Sequence, residues 1–353
     1  MSTVEVKTVQ LEEISYTDDL IIDVRSPKEY AEYRIPNAVN IPLFSNEERA
    51  KVGTYYKQKG KEAAVDLGME LFGPKVASIF QKVKSLIKEN SNRRVIIYCW
   101  RGGMRSKTVT GMLGLVGINS YQLVGGIRTF RQYVQQQLER EAEQERRFIV
   151  IEGHTGTGKT ELLHRLAKEG YPVLDLEGLA GHRGSIFGHI GLQPRSQKQF
   201  EYELISSLNE LKGEKYLIIE GESKRIGRIV LPSFILDGKE TGRRIELRYP
   251  FWSRVEHIYQ TYQPEEYEEQ IKEALQKLSK FITKELKEEI DVLLTEEKYK
   301  LLFARLLEHY YDPKYEYTSK KYKGDVDRID YASFDEGYKK LKDYINQSIS
   351  SKS

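Results

Sequence analysis

A single cysteine among 353 residues leaves this chain without an intramolecular disulfide framework. A lone thiol fits a reducing compartment. Charge of one sign is not in excess: 56 Lys and Arg stand against 53 Asp and Glu, a formal net charge of +3. That balance neither imposes nor excludes nucleic-acid binding, so any basic patch must be local. No run of about 18 apolar residues occurs. The start, MSTVEVKTVQLEEI, has no apolar signal core. A soluble cytoplasmic protein with no membrane partner is the expectation. No His and Cys stand at zinc-ligand spacing, so no resident metal site is expected. Internal repeats and low-complexity segments are missing too.

What the chain does hold is 39% hydrophobic residues, enough for packed cores, in a length suited to two or three domains. Its 24 tyrosines fit half-exposed packing, with stacking on RNA bases as the alternative. Apolar runs at residues 20–24 (LIIDV), 95–99 (VIIYC) and around YQLVGG predict buried strands. Between them, Val76, Ile79, Phe80, Val83 and Ile87 share one helical face, and SKTVTGMLGLVG predicts a helix ending near Gly117. Alternating strands and helices imply a parallel sheet. The charged REAEQERR, residues 140–147, precedes a second such series: RFIVIE, YPVLDL and YLIIEG. Beyond Pro264 the spacing turns helical: Tyr267, Ile271, Leu275, Leu278 and Ile282 form one stripe, and Phe334, Tyr338, Leu341 and Ile345 another.

Two loops follow apolar strands and open into helices, the place where backbone N–H groups gather around an anion. The first is CWRGGMRS, Cys99 to Ser106. A helix N-terminus and nearby cations stabilise a thiolate. Gly102 and Gly103 let N–H groups turn toward Cys99, Arg101 and Arg105 add charge, and Ser106 is expected to cap the helix. A reactive Cys99 is the reading, against the bland one of a small buried hydrophobe. The second is GHTGTGKT, which matches G-x-x-x-x-G-K-[ST] in full. Gly153, Thr155, Gly156, Thr157 and Gly158 supply the wrap, Lys159 a point charge and Thr160 a hydroxyl for Mg²⁺. Glu220 and Glu222 end the strand YLIIEGES, as an acidic partner of such a loop would. The stretch 182–201, HRGSIFGHIGLQPRSQKQFE, is polar and glycine-punctuated. It lies where substrate loops lie in this architecture. His182, Arg183, Ser185, Arg195 and Gln197, with Arg225 and Arg228 further on, are candidates for contacting a polyanion.

The first half resembles the rhodanese domain, through IIDVRSPKEYAEYRIPNAVNIP, the cysteine loop and LVGGIRTF at 123–130. That resemblance implies a persulfide-type relay on Cys99 and a structural role for Asp23 and Arg25. One departure stands out. Common sulfurtransferase loops place arginine five residues after the cysteine; Arg105 comes six after, the spacing of cysteine phosphatases. Those usually have His before the cysteine, where this chain has Tyr98. Taken together, CWRGGMRS, GHTGTGKT, GHRGSIFG, QKQFE and IIEGESKRIG, in that order over residues 10–260, resemble bacterial tRNA 2-selenouridine synthase.

The resemblance implies an α/β fold: a rhodanese-like parallel-sheet domain over 1–138, a linker or helix end over 139–147 and a P-loop NTPase-like α/β domain over 148–260. A mainly helical C-terminal region over 261–353 would follow as a candidate tRNA contact, with KKYKGDVDR at 320–328 as its basic stretch. It also implies replacement of sulfur by selenium at C2 of wobble 2-thiouridine in tRNA, with an S-geranyl-2-thiouridine intermediate. The co-substrates would be selenophosphate and geranyl diphosphate, with Mg²⁺ a candidate helper, no tightly bound cofactor, and a selenophosphate-producing enzyme as partner. The alternatives are a rhodanese sulfurtransferase fused to a P-loop kinase or ATPase, and a nucleotide-binding regulator that senses oxidation at Cys99.

Overall fold

The computed structural model describes residues 6–221, 223–319 and 326–350. The chain divides into two compact units, residues 1–137 and 138–353.

The first unit contains β1 (Thr8–Val9), β2 (Leu20–Asp23), α1 (Pro27–Glu32), β3 (Val39–Asn40), α2 (Asn46–Phe72), α3 (Val76–Glu89), β4 (Val95–Tyr98), α4 (Met104–Leu115) and β5 (Ser120–Leu123). The helix α5 (Ile127–Ala142) begins within it. Its five strands run in the order β1-β5-β4-β2-β3, every pair parallel. All residues of β2 and β4 are buried, as continuous apolar runs in a covered parallel sheet should be. Ile22, Ile97, Val83, Val109 and Leu113 fill the core beside Cys99. The chain leaves β2 toward one edge and β4 toward the other. Loops diverge at the carboxyl ends of such strands and open a crevice there. Cys99 follows β4 at that place.

The second unit holds β6 (Arg147–Gly153), α6 (Lys159–Lys168), β7 (Val173–Leu174), α7 (Leu176–Ala180), α8 (Gln197–Glu210), β8 (Tyr216–Glu220), the hairpin β9 (Arg225–Ile226) and β10 (Ile229–Val230), and α9 (Ser233–Thr241). It continues with β11 (Arg243–Arg248), α10 (Phe251–Tyr262), α11 (Glu268–Leu278), α12 (Lys284–Thr295), α13 (Tyr299–Leu306), a π-helical turn Leu307–Tyr311, α14 (Asp312–Ser319), β12 (Val326–Asp330) and α15 (Phe334–Ser350). The sheet order is β12-β11-β6-β8-β7, again all parallel. The phosphate-type loop follows β6, the central strand.

The C-terminal part is mainly helical, and it also returns a strand to this sheet. β12 pairs with β11, and Leu341 and Ile345 of α15 are buried in the same core as Leu162 and Leu166 of α6. The expected basic stretch 320–328 is largely outside the described residues. Its described end, Arg328, lies on β12 and pairs with Glu246 at 3.1 Å. The helices α10 to α13 form a separate cluster, and Phe187 and Ile190 from the polar stretch insert into it at 2% and 1% exposure. That stretch is thus anchored by its two apolar residues. Among the described residues no helix is long and apolar enough to cross a membrane.

Candidate functional sites

The cysteine loop is held from beneath by the Gly125–Gly126 turn. Ile127 N–H donates to Cys99 O at 2.9 Å and Arg128 N–H to Trp100 O at 3.2 Å. A Cβ on Gly126 would stand 2.3 Å from Cys99 O, and one on Gly102 (φ +61) 2.7 Å from Leu123 O. Glycine is therefore required where the two turns meet. The Cys99 side chain is buried, with its sulfur 3.1 Å from Ser106 Oγ. Ser106 does not cap the helix as expected: Gly103 occupies the N-cap and Ser106 lies within α4. Its hydroxyl accepts from Gln122 Nε2 at 2.8 Å and sits 3.3 Å from Gly103 O. Its one proton is thus directed between that carbonyl and the sulfur, and a thiolate at Cys99 would draw it.

The two arginines differ. Arg101 is exposed, whereas Arg105 is mostly buried and donates to Glu29 at 2.8 Å. Glu29 also accepts from Ser26 N–H at 3.0 Å, as part of the box that caps α1. Burial pushes the Glu29 carboxyl up, but hydrogen bonding and charge from Arg105 outweigh it and hold the group below its ordinary range. Asp23 and Arg25 form a fully buried pair at 2.6 Å, and Arg25 also donates to Tyr33 O. They tie down the end of β2.

In the second loop Gly153, Gly156 and Gly158 take φ of +150, +84 and +71. A Cβ on Gly156 would meet Arg254 O at 2.8 Å, and one on Gly158 would meet the Phe334 ring at 2.1 Å. Lys159 Nζ donates to Gly153 O at 2.9 Å, Thr157 Oγ1 to His154 O at 2.9 Å and Thr160 Oγ1 to Glu177 Oε2 at 3.1 Å. The outward carbonyls are braced: Arg254 Nε donates to Thr155 O at 2.9 Å, and the Tyr331 hydroxyl donates to Thr157 O. Arg254 is held in turn by Asp312 at 2.6 Å, which also faces His154 Nδ1 at 3.3 Å. Carbonyls held from outside are kept off the space an anion would take, while the Thr157 N–H turns back to His154 O at 3.3 Å.

Glu220 ends β8 fully buried; its Oε2 accepts from Leu176 N–H at 3.0 Å and its Oε1 has no hydrogen-bond partner. Burial, then the charges of Asp175 and Glu177, push its carboxyl well up. Asp175 caps α7 and binds His164 Nε2 at 2.6 Å. Asp175 and Glu177 escaped the sequence reading, although the D-L-E that directly follows β7 was a visible signal. Glu222 lies outside the described residues.

The remaining candidates are scattered. Arg183 donates to Ile190 O at 2.8 Å and stands over the Tyr262 ring. Ser185 Oγ lies 3.2 Å from the Tyr262 hydroxyl. His182 packs beside His189, and burial, then that neighbour, lowers its pKa. Arg195 faces Glu203 at 3.4 Å, and Gln197 clamps Val230 through both its N–H and its C=O, at 2.8 and 3.0 Å. Arg225 and Arg228 are exposed on the hairpin.

Two cavities flank the phosphate-type loop. One is a void of about 10 Å³, room for about one water, lined by Thr155, Ser185, Phe187 and residues of α10, α13 and the π-turn. The other, about 510 Å³ and open to solvent, is lined by His154, Thr157, Arg248, Tyr249, Tyr315 and Arg328 among others.

Residues 146–352 match the model of the tRNA 2-selenouridine synthase AAA domain, and residues 8–133 that of the rhodanese-like domain. A tRNA 2-selenouridine synthase of Nitrosomonas europaea is 38% identical over 249 residues, 69% of this chain and 64% of that protein. The chain thus spans just under two thirds of that relative's length. One of Nitrosomonas eutropha is 36% identical over 267 residues, 74% of this chain and 68% of the relative. One of a Sulfurovum species is 35% identical over 327 residues, 84% of this chain and 88% of the relative. With more than half of its residues inside the synthase-specific model, and Cys99 inside the rhodanese-like match, the chain belongs to the tRNA 2-selenouridine synthase family.

Proposed function

We propose that this protein is a tRNA-modifying transferase that replaces sulfur by selenium at C2 of wobble 2-thiouridine, in two steps. In the first, the thiocarbonyl sulfur attacks C1 of geranyl diphosphate. The carbon–oxygen bond breaks, diphosphate leaves, and the base loses its N3 proton. Lys159 and the loop N–H groups stabilise the departing charge. Where Mg²⁺ takes part, Thr160 and Glu177, with the unpartnered oxygen of Glu220, fit its preference for oxygen donors, and it would neutralise charge on the diphosphate. The large cleft with Tyr249, Tyr315, Arg248 and Arg328 suits the target nucleotide, because aromatic faces stack bases and arginines meet phosphates.

In the second step the Cys99 thiolate attacks the selenium of selenophosphate; the selenium–phosphorus bond breaks with its electron pair staying on phosphorus, phosphite leaves, and selenium remains on Cys99 as a perselenide. The terminal selenium adds at C2 and geranylthiol is expelled. A thiol of the reductant then attacks the Cys99 sulfur, which frees the selenouridine and leaves a mixed disulfide on Cys99, and a further thiol releases that disulfide and restores Cys99. Ser106 steadies the sulfur anion and Arg101 meets the phosphate. Arg105 would join only by leaving Glu29. tRNA and a selenophosphate-producing enzyme are the implied partners.

The observation that carries this reading is the braced anion loop, Lys159 and Thr160 included, in a chain that also holds a buried cysteine under a serine hydroxyl. The test is mass spectrometry of the wobble nucleoside. Thiolated tRNA is incubated with geranyl diphosphate, selenophosphate and a thiol reductant. Wild type should give selenouridine, Cys99→Ser should accumulate the geranylated base, and Lys159→Ala should leave thiouridine. Unchanged thiouridine with folded wild type would sink the proposal. Turnover of thiosulfate or ATP instead would point to the sulfurtransferase–kinase alternative.

A further inference from the structure

We infer that the bend at Gly60 in α2, with the helix leading to it, is the surface on which the rhodanese-like unit grips RNA: its lysines meet the phosphate backbone and Tyr56 stacks an unpaired base. This rests on the reading of tRNA as the substrate and assigns it a contact surface.

The sequence sets the bend apart. Residues 51–61, KVGTYYKQKGK, hold Lys51, Lys57, Lys59 and Lys61, two tyrosines and no acidic residue, in a chain whose formal net charge is only +3. Cations interleaved with aromatics suit a single strand, because the cations track its backbone and the rings take its bases.

The structure leaves these groups to a partner. A helix is usually held by packing of an apolar stripe. The first buried residue of α2 is Ala64; before it Val52 packs half-buried against the core and no residue is buried. At Gly60, φ +87, the helix breaks, and a Cβ there would meet nothing within 4 Å, so the bend stands in the open. Lys59 sits over the Tyr55 ring at 4.4 Å, whereas the neighbouring Tyr56 ring is 59% exposed. All four lysines are exposed, and none has an acidic partner among the described residues. The contrast is with α11 and α12, where Lys272, Lys284 and Lys287 each face a carboxylate four residues away. Those cations are answered within the chain; the four at the bend are not.

The bend is also tied to the chemistry. Arg49 of α2 pairs with Glu29 at 3.6 Å, and Glu29 is the partner of Arg105 in the cysteine loop. Asn46 Oδ1 accepts from Lys28 N–H at 2.9 Å, which joins the start of α2 to α1 a second time. From Arg49 to Gly60 a helix rises about 16 Å, so a strand that delivers a base to the cysteine loop has the bend within a few nucleotides' reach.

The test is binding of thiolated tRNA by the full chain across a salt series, read by fluorescence anisotropy. Two triple variants of equal charge change in the same unit are compared with wild type. One is Lys57→Gln, Lys59→Gln, Lys61→Gln at the bend; the other is Lys82→Gln, Lys84→Gln, Lys88→Gln on the exposed face of α3. Gln and Lys have similar helix propensity, and thermal melts confirm folding. Each phosphate contact contributes about 0.7–0.9 to the slope of log K against log salt. The bend triple should therefore flatten the slope by about two, a loss of about a hundred-fold at about 0.1 M salt. The α3 triple should change affinity by about two-fold at most. Tyr56→Ala should weaken binding about ten-fold with the slope unchanged, and Tyr56→Phe should keep wild-type affinity, because either ring stacks. Wild-type affinity in folded Tyr56→Ala would overturn the stacking. Equal losses from both triples, or none from either, would overturn the assignment to α2 while tRNA stands as the substrate. If the bend triple keeps tRNA binding but loses attachment to vesicles of anionic phospholipid, the surface serves a membrane and the inference falls. If wild type binds no tRNA, the substrate reading itself fails and this inference with it.

Discussion

Arg105 of the cysteine loop and Glu29 of α1 face each other at 2.8 Å, and both are mostly shielded from water. The cation that the loop offers an incoming anion is therefore already matched within the chain. Glu29→Gln should release it: binding of selenophosphate to the free protein is expected to tighten several-fold. The same substitution should alter acid stability in a defined window. Glu29 titrates below the ordinary 4.5 in the folded state. Its stabilisation is then complete above that pH and is lost as pH falls through the lower folded value. Denaturant titrations at pH 7 and pH 3.5 should show wild type ahead of Glu29→Gln at the first and the gap narrowing at the second. An equal gap at both would refute the pairing.

Ser106 carries the second expectation. Its hydroxyl is the polar group at 3.1 Å from the Cys99 sulfur, with Gln122 holding it in place. A single hydrogen bond is worth about 0.5–1.5 kcal/mol, so Ser106→Ala should slow alkylation of Cys99 at pH 7 by about two- to ten-fold. Gln122→Leu should do so more weakly. Thermal melts distinguish a slower thiol from a loosened loop.

Much of this architecture is legible in the chain because hydrophobic runs, glycines and the anion loops are local signals. VIIYC and RFIVIEG announce buried central strands, and both loops follow them directly. The rest hides where the chemistry is non-local. Residues 243–248, RRIELR, look like a solvated segment, yet they form β11 beside the central β6. The charge is tolerated because Arg244 pairs with Glu152 at 2.6 Å inside the fold. The helix α2 shows no clean apolar stripe because only Ala64, Leu67 and Phe72 of it are buried and Gly60 breaks it. The role of Ser106 depends on Gln122, which comes sixteen residues later.

That buried pair yields a third prediction. Removing one partner of a buried ion pair costs about 3–5 kcal/mol, whereas apolar replacement of both is often close to neutral. Arg244→Met should therefore destabilise strongly in urea denaturation, and Arg244→Met with Glu152→Met should recover most of the loss. A double variant as unstable as the sum of the singles would mean the two act independently.

Gly158 and Phe334 make the fourth. Gly158 is left-handed, and a Cβ there would overlap the Phe334 ring. Gly158→Ala should cost about 1–2 kcal/mol for the backbone and a further 1–3 kcal/mol, roughly, for the overlap. Phe334→Ala in the same chain relieves only the second part. If Gly158→Ala, Phe334→Ala is no better than expected from adding the two single effects, the ring is not what forbids the methyl.

Glu220 supplies the last. Its carboxyl is fully buried, and burial with the nearby Asp175 and Glu177 raises its pKa well above 4.5. The folded state therefore keeps a proton that the unfolded chain releases at about pH 4.5. Stability from this group is complete below that value and declines as pH rises toward the folded pKa. Glu220→Gln mimics the protonated acid and escapes the decline. Its melting temperature should exceed that of wild type at pH 8, and the two should converge near pH 4. Activity should move the other way. A neutral amide cannot offer the unpartnered oxygen of Glu220 as an anion once a phosphorylated substrate binds, so transfer to tRNA should fall as stability rises, the exchange expected where a site holds an unfavourable group for function. A Glu220→Gln protein no more stable at pH 8 than wild type would show that the carboxyl is already ionised in the folded protein.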